Sequence, residues 1–429
     1  MKKYLPALVA MACTALPAGA ADWIDSVAAT AAEQLSFQAS EVPAPGRFPR
    51  ALFTDYSIPQ LEYHLGIPVC EFKDEVDLRA HPGKNNYMKV VYHDYSDWTS
   101  GFFPGSLWLA YELTGRDDLA ALAAVHTNAL LPVSYMTTTH DLGFMVNCSY
   151  GNAMRLAPSD TIKEVIVRTA DNLISRYDPD MKLIRSWDFG PWNYPVIIDN
   201  MMNLQLLFNA ARITGDPKYI DVAVNHADKT MRNHFRPDYS SYHVVSYGPD
   251  GNAESHTTFQ GKADESAWAR GQGWALYGYT EAYRETGKPE YLSHAINVAD
   301  MIMKRNNTTD LVPYWDFDAI PGDESPRDAS AAAVIASALI ELHTLAPKGA
   351  DIYLDYAERI LHSLASPAYM ARKGTNGGFV LMHSTGSLPH GSEIDTPLNY
   401  ADYYFLEALT RLRRVQQGKP AADWASVGK

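Results

Sequence analysis

The stretch Asn193–Leu207, NYPVIIDNMMNLQLL, sets one carboxylate inside an otherwise apolar run. Asp199 follows Val196, Ile197 and Ile198 and precedes Met201, Met202, Leu204, Leu206 and Leu207. A carboxyl group in such surroundings loses hydration, which favours its neutral form and raises its pKa toward the range where it can donate a proton near neutral pH. The competing reading is a helix N-cap, since an Asp ahead of an apolar run of helical period is also a start signal. Other helices open on equally unusual loops: DWTSGFF (97–103), HDLGF (140–144), WARGQGW (268–274), RDAS (327–330) and NYADY (399–403). Together they supply Trp98, Trp268, Trp274, Asp141 and Arg270. Aromatic faces cover the C–H faces of a sugar ring while carboxylates take its hydroxyls, so a pocket lined by these three tryptophans suits a carbohydrate. A guanidinium wedged between two tryptophans must find an anion, and a bound carboxylate serves as well as a protein one. The ligand expected on these grounds is acidic.

Positioning those loops requires helical hairpins, and the chain repeats one. An apolar helix ends in Thr-Gly and an amphipathic helix returns at 105–131, 201–235 and 273–305. Gly supplies the left-handed C-cap, and Pro217 and Pro289 stand where a first-turn proline is tolerated. Two more hairpins, 144–177 and 329–364, lack the Thr-Gly turn, and helices 23–37 and 401–416 remain to pair with each other. Twelve helices in this alternation predict an all-α fold, a double-layered (α/α)6 barrel of six hairpins. The inner helices then begin on one rim, where six helix N-termini add partial positive charge. The opposite rim carries plain turn chemistry.

Composition bounds the rest. The 429 residues are 46% apolar and 20% charged, enough for a sizeable core. A formal net charge of −14 argues against nucleic acid, anionic membrane surfaces and long polyanions, but leaves room for a short acidic ligand held by local cations. Residues 1–20 read as a signal peptide: Lys2-Lys3, an apolar stretch, then Ala18-Gly19-Ala20. The expected domain is 21–416, followed by a polar tail, 417–429, and the expected location is exported, periplasmic; lipidation at Cys13 is the weaker alternative. Cys70 and Cys148 are too few for a disulfide framework, though export would allow them to pair. No apolar run is long enough to span a bilayer. Asp316, Asp318, Asp323 and Asp328 lack a calcium-loop pattern, and neither a phosphate loop nor a dinucleotide fingerprint is present, so no metal and no cofactor are expected.

The segments HDLGF (140–144), IIDNMMNL (197–204), YHVV (242–245), QGKADESAWARGQGW (260–274) and DASAAA (328–333) resemble the signature segments of the unsaturated glucuronyl hydrolases, glycoside hydrolase family 88. The resemblance runs in order through nearly the whole mature chain. It implies an (α/α)6 barrel and release of the 4,5-unsaturated uronic acid that polysaccharide lyases leave at the non-reducing end of acidic oligosaccharides. By the same resemblance Asp199 is the acid/base and Asp141 its partner, while Trp98, His140, His243, Gln260, Trp268, Arg270 and Trp274 contact substrate. Asp141 is expected to stay ionised and, with burial, to raise the pKa of Asp199 against the helix N-terminus that lowers it. The alternatives are an unsaturated rhamnogalacturonyl hydrolase or ordinary inverting glycosidase on the same barrel, and a non-catalytic glycan-binding protein. For His383–Ser392 no family pattern transfers.

Overall fold

The computed structural model describes residues 19–52, 90–321, 325–347 and 349–423. Cys13, Cys70, Asp323 and residues 1–18 lie outside them; Cys148 is a buried free thiol. The helices are α1 (Gly19–Glu41), α2 (Phe102–Thr114), α3 (Asp117–Asn128), α5 (Asp160–Ile174), α6 (Asn200–Thr214), α7 (Lys218–Asn233), α8 (Ala269–Thr286), α9 (Pro289–Arg305), α10 (Ala329–Leu345), α11 (Asp351–Leu364) and α12 (Asn399–Gln416). Between α3 and α5 runs α4, two helical pieces, Leu142–Val146 and Asn152–Leu156, joined by a π-helical turn at Asn147–Gly151. Helices α2, α4, α6, α8, α10 and α12 each pack against the next, and α12 against α2, so they form a closed inner ring. The others form the outer layer, with α1 lying over α2 and α12.

Burial follows from that layering. An inner helix has neighbours all round, so α8 is buried without a break from Ala269 to Ala282. An outer helix buries one stripe at helical period, as in Val165, Ile166, Thr169, Ala170 and Leu173 of α5. The Thr-Gly turns share one hydrogen-bond scheme. Gly115, Gly215 and Gly287 take φ of 69°, 72° and 68°, and their N–H groups donate to Tyr111, Ala211 and Tyr283. The preceding Thr hydroxyl donates to the carbonyl four residues back and accepts the N–H two residues on, satisfying groups the helix end leaves open.

Short strands, which the hydrophobic pattern does not announce, occupy the loops: β1 (Phe48–Leu52) with β2 (Val90–His93), β3 (Tyr177–Asp178) with β4 (Leu183–Ile184), and a sheet of β5 (Pro195–Ile197), β6 (Val244–Tyr247) and β7 (Ala253–Thr257). All pairs are antiparallel. The β5–β6–β7 sheet stands beside the start of α6. Beyond α12, Ala421 is buried and Asp423 pairs with Arg414 at 3.2 Å, so the first residues of the tail fold back on the barrel.

Candidate active site

Asp199 is the residue at which β5 becomes α6. The Ile198 N–H donates to the His243 carbonyl at 3.0 Å, ending the strand pairing, and Met202 N–H already donates to the Asp199 carbonyl at 3.0 Å. The carboxylate occupies the N-cap position yet makes no capping hydrogen bond, which removes the structural reading of this residue. It is only 7% exposed, and Oδ2 has no hydrogen-bond partner. Burial first, and then the Asp141 charge, push its pKa from 3.8 up to about 7, while Arg270 pulls the other way. The indole N–H of Trp274, itself without a partner, is near enough to favour the ionised form weakly.

His243, which leads into β6, has a defined tautomer. Its Nδ1 accepts the backbone N–H groups of Phe259 and Gln260, each at 3.1 Å, so the ring proton must sit on Nε2. That Nε2–H faces Asp199 Oδ2 at 3.6 Å, and burial holds the imidazole neutral, its pKa well below the usual range. Asp141 opens α4 and is the more exposed acid; its Oδ2 accepts the Thr139 hydroxyl at 3.1 Å. His140 is fully buried with Nε2 3.3 Å from Asp141 Oδ1. The site thus holds two acids, one partnerless, each with a histidine beside it.

The aromatic residues divide differently from the expectation of three pocket-lining tryptophans. Only Trp98 keeps an exposed part; Trp268 and Trp274 are 2% and 0% exposed. Phe144 lies between Trp98 and Trp274, with ring centroids at 5.4 and 5.2 Å, and Tyr404 covers Trp274 at 5.4 Å. On the other side of Asp199, Trp187 meets His243 edge-on at 5.9 Å and Phe259 at 5.1 Å, and Phe189 stacks on Trp187 at 5.1 Å with 56% exposure. Sequence reasoning missed this second wall, although the density of aromatics in SWDFGPW (186–192) is a signal.

Arg270 also differs. Its anion is a protein one: Nη1 donates to Asp328 Oδ2 at 2.7 Å and to the Thr385 carbonyl at 2.7 Å, and Nη2 donates to the Gly386 carbonyl at 2.6 Å. It lies between the Trp268 and Tyr400 rings, at 4.6 and 5.2 Å, rather than between two tryptophans. Arg270 is 1% exposed; Nη1 is engaged and Nη2 gives one hydrogen bond, but Nε has no partner, so the edge formed by Nε and Nη2 keeps donors that a ligand carboxylate can use. Asp328 explains itself by the same bonds, since Oδ1 caps α10 through Ser330 and Ala331 N–H. Asp316 accepts Lys262 N–H, the Ser266 hydroxyl and Asp318 N–H, so both acids are engaged in protein hydrogen bonds. Gln260 Nε2 donates to Gly386 at 3.2 Å.

Gly386 belongs to a hairpin, 383–396, bridged at Ser384–Thr396 and Ser387–Ser392, which brings His390 to 4.2 Å from Phe259. It spans from the start of α10, where Ala329 N–H donates to His383, to the second aromatic wall.

Comparison with known proteins gives the family. Residues 79–406 match the model of Glycosyl Hydrolase Family 88. An unsaturated glucuronyl hydrolase of Formosa agariphila is 48% identical over 320 residues, 73% of this chain and 80% of that protein. An unsaturated chondroitin disaccharide hydrolase of Streptococcus pyogenes is 34% identical over 351 residues, 79% of this chain and 86% of that one. The crystal structure of an unsaturated glucuronyl hydrolase specific for heparin superposes with a TM-score of 0.82 at 44% identity, covering 94% of this chain and 100% of the other. A continuous family match, a relative nearly half identical, and a shared barrel place the chain in glycosyl hydrolase family 88, among the unsaturated glucuronyl hydrolases.

Proposed function

We propose that Asp199 carries the reaction as a single acid and base, hydrating the C4=C5 double bond of an unsaturated uronide at the non-reducing end of a lyase-generated, glycosaminoglycan-type oligosaccharide. That bond is an enol ether conjugated to the carboxylate. Protonation at C4 therefore places oxocarbenium character at C5, water adds there, and the resulting hemiketal opens and collapses with loss of the aglycone. One observation carries the assignment: a buried carboxyl with a pKa near 7 and an oxygen with no protein partner, poised to give a proton at neutral pH.

Each neighbour has a part. Asp141, by its charge, keeps the Asp199 proton in place before substrate arrives. After transfer, the Asp199 carboxylate takes a proton from the incoming water, and the His243 Nε2–H stands ready to hold the carboxylate oriented. His140 orients Asp141. Trp98 on one side and Trp187 on the other offer ring faces to the sugars. Arg270, whose Nε has no protein partner, is the cation for the substrate carboxylate, and its field tempers the Asp199 pKa. Export rests on the reading of residues 1–20 as a signal peptide, and N-terminal sequencing of the protein from the periplasmic fraction tests it.

The chemical test is isotopic. In heavy water, deuterium is expected at C4 of the released product at early times, and a saturated glucuronide with the same aglycone is expected to be inert. Rapid hydrolysis of the saturated analogue refutes hydration and makes Asp141 and Asp199 an acid and base flanking the anomeric carbon. Loss of alkene absorbance across unsaturated disaccharides from chondroitin, hyaluronan, heparin and pectin identifies the neighbouring sugar.

A further inference from the structure

Arg50, in the middle of β1, has no part in the chemistry above, yet it joins two pieces of the mouth that are distant in sequence. Its Nη1 donates to Asp97 Oδ2 at 2.6 Å, while Nε and Nη2 take the two oxygens of Glu393. Asp97 and Glu393 side chains are each 13% exposed, Arg50 18%, so solvent screens this bidentate cluster far less than a surface pair.

Each acid holds something that faces the site. Asp97 Oδ1 accepts Thr99 N–H at 2.9 Å and the Thr99 hydroxyl at 2.6 Å, closing the turn that presents Trp98. Glu393 lies across Gly386: a Cβ added at 386 would stand 2.3 Å from Glu393 Oε2. Gly386 is the residue whose carbonyl receives both Arg270 and Gln260. The hairpin is held against local preference, because His383, Glu393 and Asp395 have φ of 61°, 53° and 50°. Side chains in that region are strained and persist only where surrounding contacts impose them. Arg50 is one such contact, and at Glu393 it acts on a strained residue directly.

We infer that Arg50 is a positioning residue for the reaction, clamping the Trp98 turn to the 383–396 hairpin and so setting the affinity for substrate. The clamp touches neither Asp199 nor Asp141, so the proton transfer keeps its rate once substrate is bound. Direct binding of a ligand anion by Arg50 is disfavoured, since Nε, Nη1 and Nη2 are all engaged.

The inference rests on the proposed function, and the experiment separates the two. In Arg50→Met, KM for an unsaturated disaccharide is expected to rise roughly tenfold or more, with kcat and its pH profile within a few-fold of wild type. Arg50→Lys, which keeps charge without the planar fork, is expected to recover part of the affinity. Glu393→Gln and Asp97→Asn release one arm each and carry the test if Arg50→Met fails to fold; both are expected to raise KM. Disaccharide affinity measured calorimetrically in an Asp199→Asn background tests the clamp independently of turnover, with the same roughly tenfold weakening expected. An unchanged KM and Kd in folded variants, or a fall in kcat with KM unmoved, overturns it.

Discussion

Replacing Asp199 by Asn should abolish turnover and stabilise the protein in a pH-dependent way. The carboxyl is 7% exposed and its pKa stands at about 7 against an ordinary 3.8. The sign follows from proton binding. Between those two values the folded state holds a proton that the unfolded state has lost, so stability falls as pH rises through this window. Below about 4 both states are protonated and no cost exists; above about 7 the cost is complete. At ~1.4 kcal/mol for each pH unit, the full cost is on the order of 4 kcal/mol, an upper figure because Asp141 shares the titration. Asn keeps the shape but never ionises, so the mutant avoids that cost. Unfolding followed by circular dichroism should therefore show little change at pH 4 and a Tm gain of roughly 3–5 °C at pH 8, allowing for the size of the chain. Turnover, read from the alkene absorbance, should fall by at least roughly 10²–10⁴-fold, the worth of a general acid. Activity within tenfold of wild type would remove Asp199 from the mechanism. An equal Tm change at both pH values would show that its carboxyl is not destabilised by burial, and the argument for its acidity would go with it.

The other predictions follow from the same contacts. Asp141→Asn removes the charge that helps raise the Asp199 pKa, so the alkaline limb of the residual kcat–pH profile should move to lower pH; a limb that stays in place breaks the coupling. Arg270→Met strands the buried Asp328 and should cost about 3–5 kcal/mol in urea unfolding while raising KM; a loss below about 1 kcal/mol would show that the pair does not hold Asp328, and an unchanged KM that Nε meets no substrate. Trp187→Ala, which opens the wall beside His243, should raise KM severalfold with kcat nearly unchanged; an unaltered KM places the sugar elsewhere.

Sequence alone determined the helices, their pairing and the rim on which the candidate site gathers, because those depend on short-range physics. Amphipathic period, Thr-Gly ends and apolar runs act within a few residues, and the twelve helices of the described residues close as that pattern requires. Asp199 was legible for the same reason, its desolvation being written in the apolar residues on either side. Its freedom from capping was not legible, since both readings of that Asp share one local sequence and differ only in where the side chain points. What remained hidden are the pairings made across the barrel mouth. Arg270 was expected to seek a ligand; that Asp328 and two carbonyls of a distant hairpin take its terminal nitrogens, leaving Nε without a partner, was not legible. Trp187, silent by itself, gains meaning once the β5–β6–β7 sheet brings His243 beside it. A buried charge takes whichever counter-charge the fold brings within a few ångströms, and contacts separated by tens to hundreds of residues leave no periodic mark in the chain; only the closed barrel decides them.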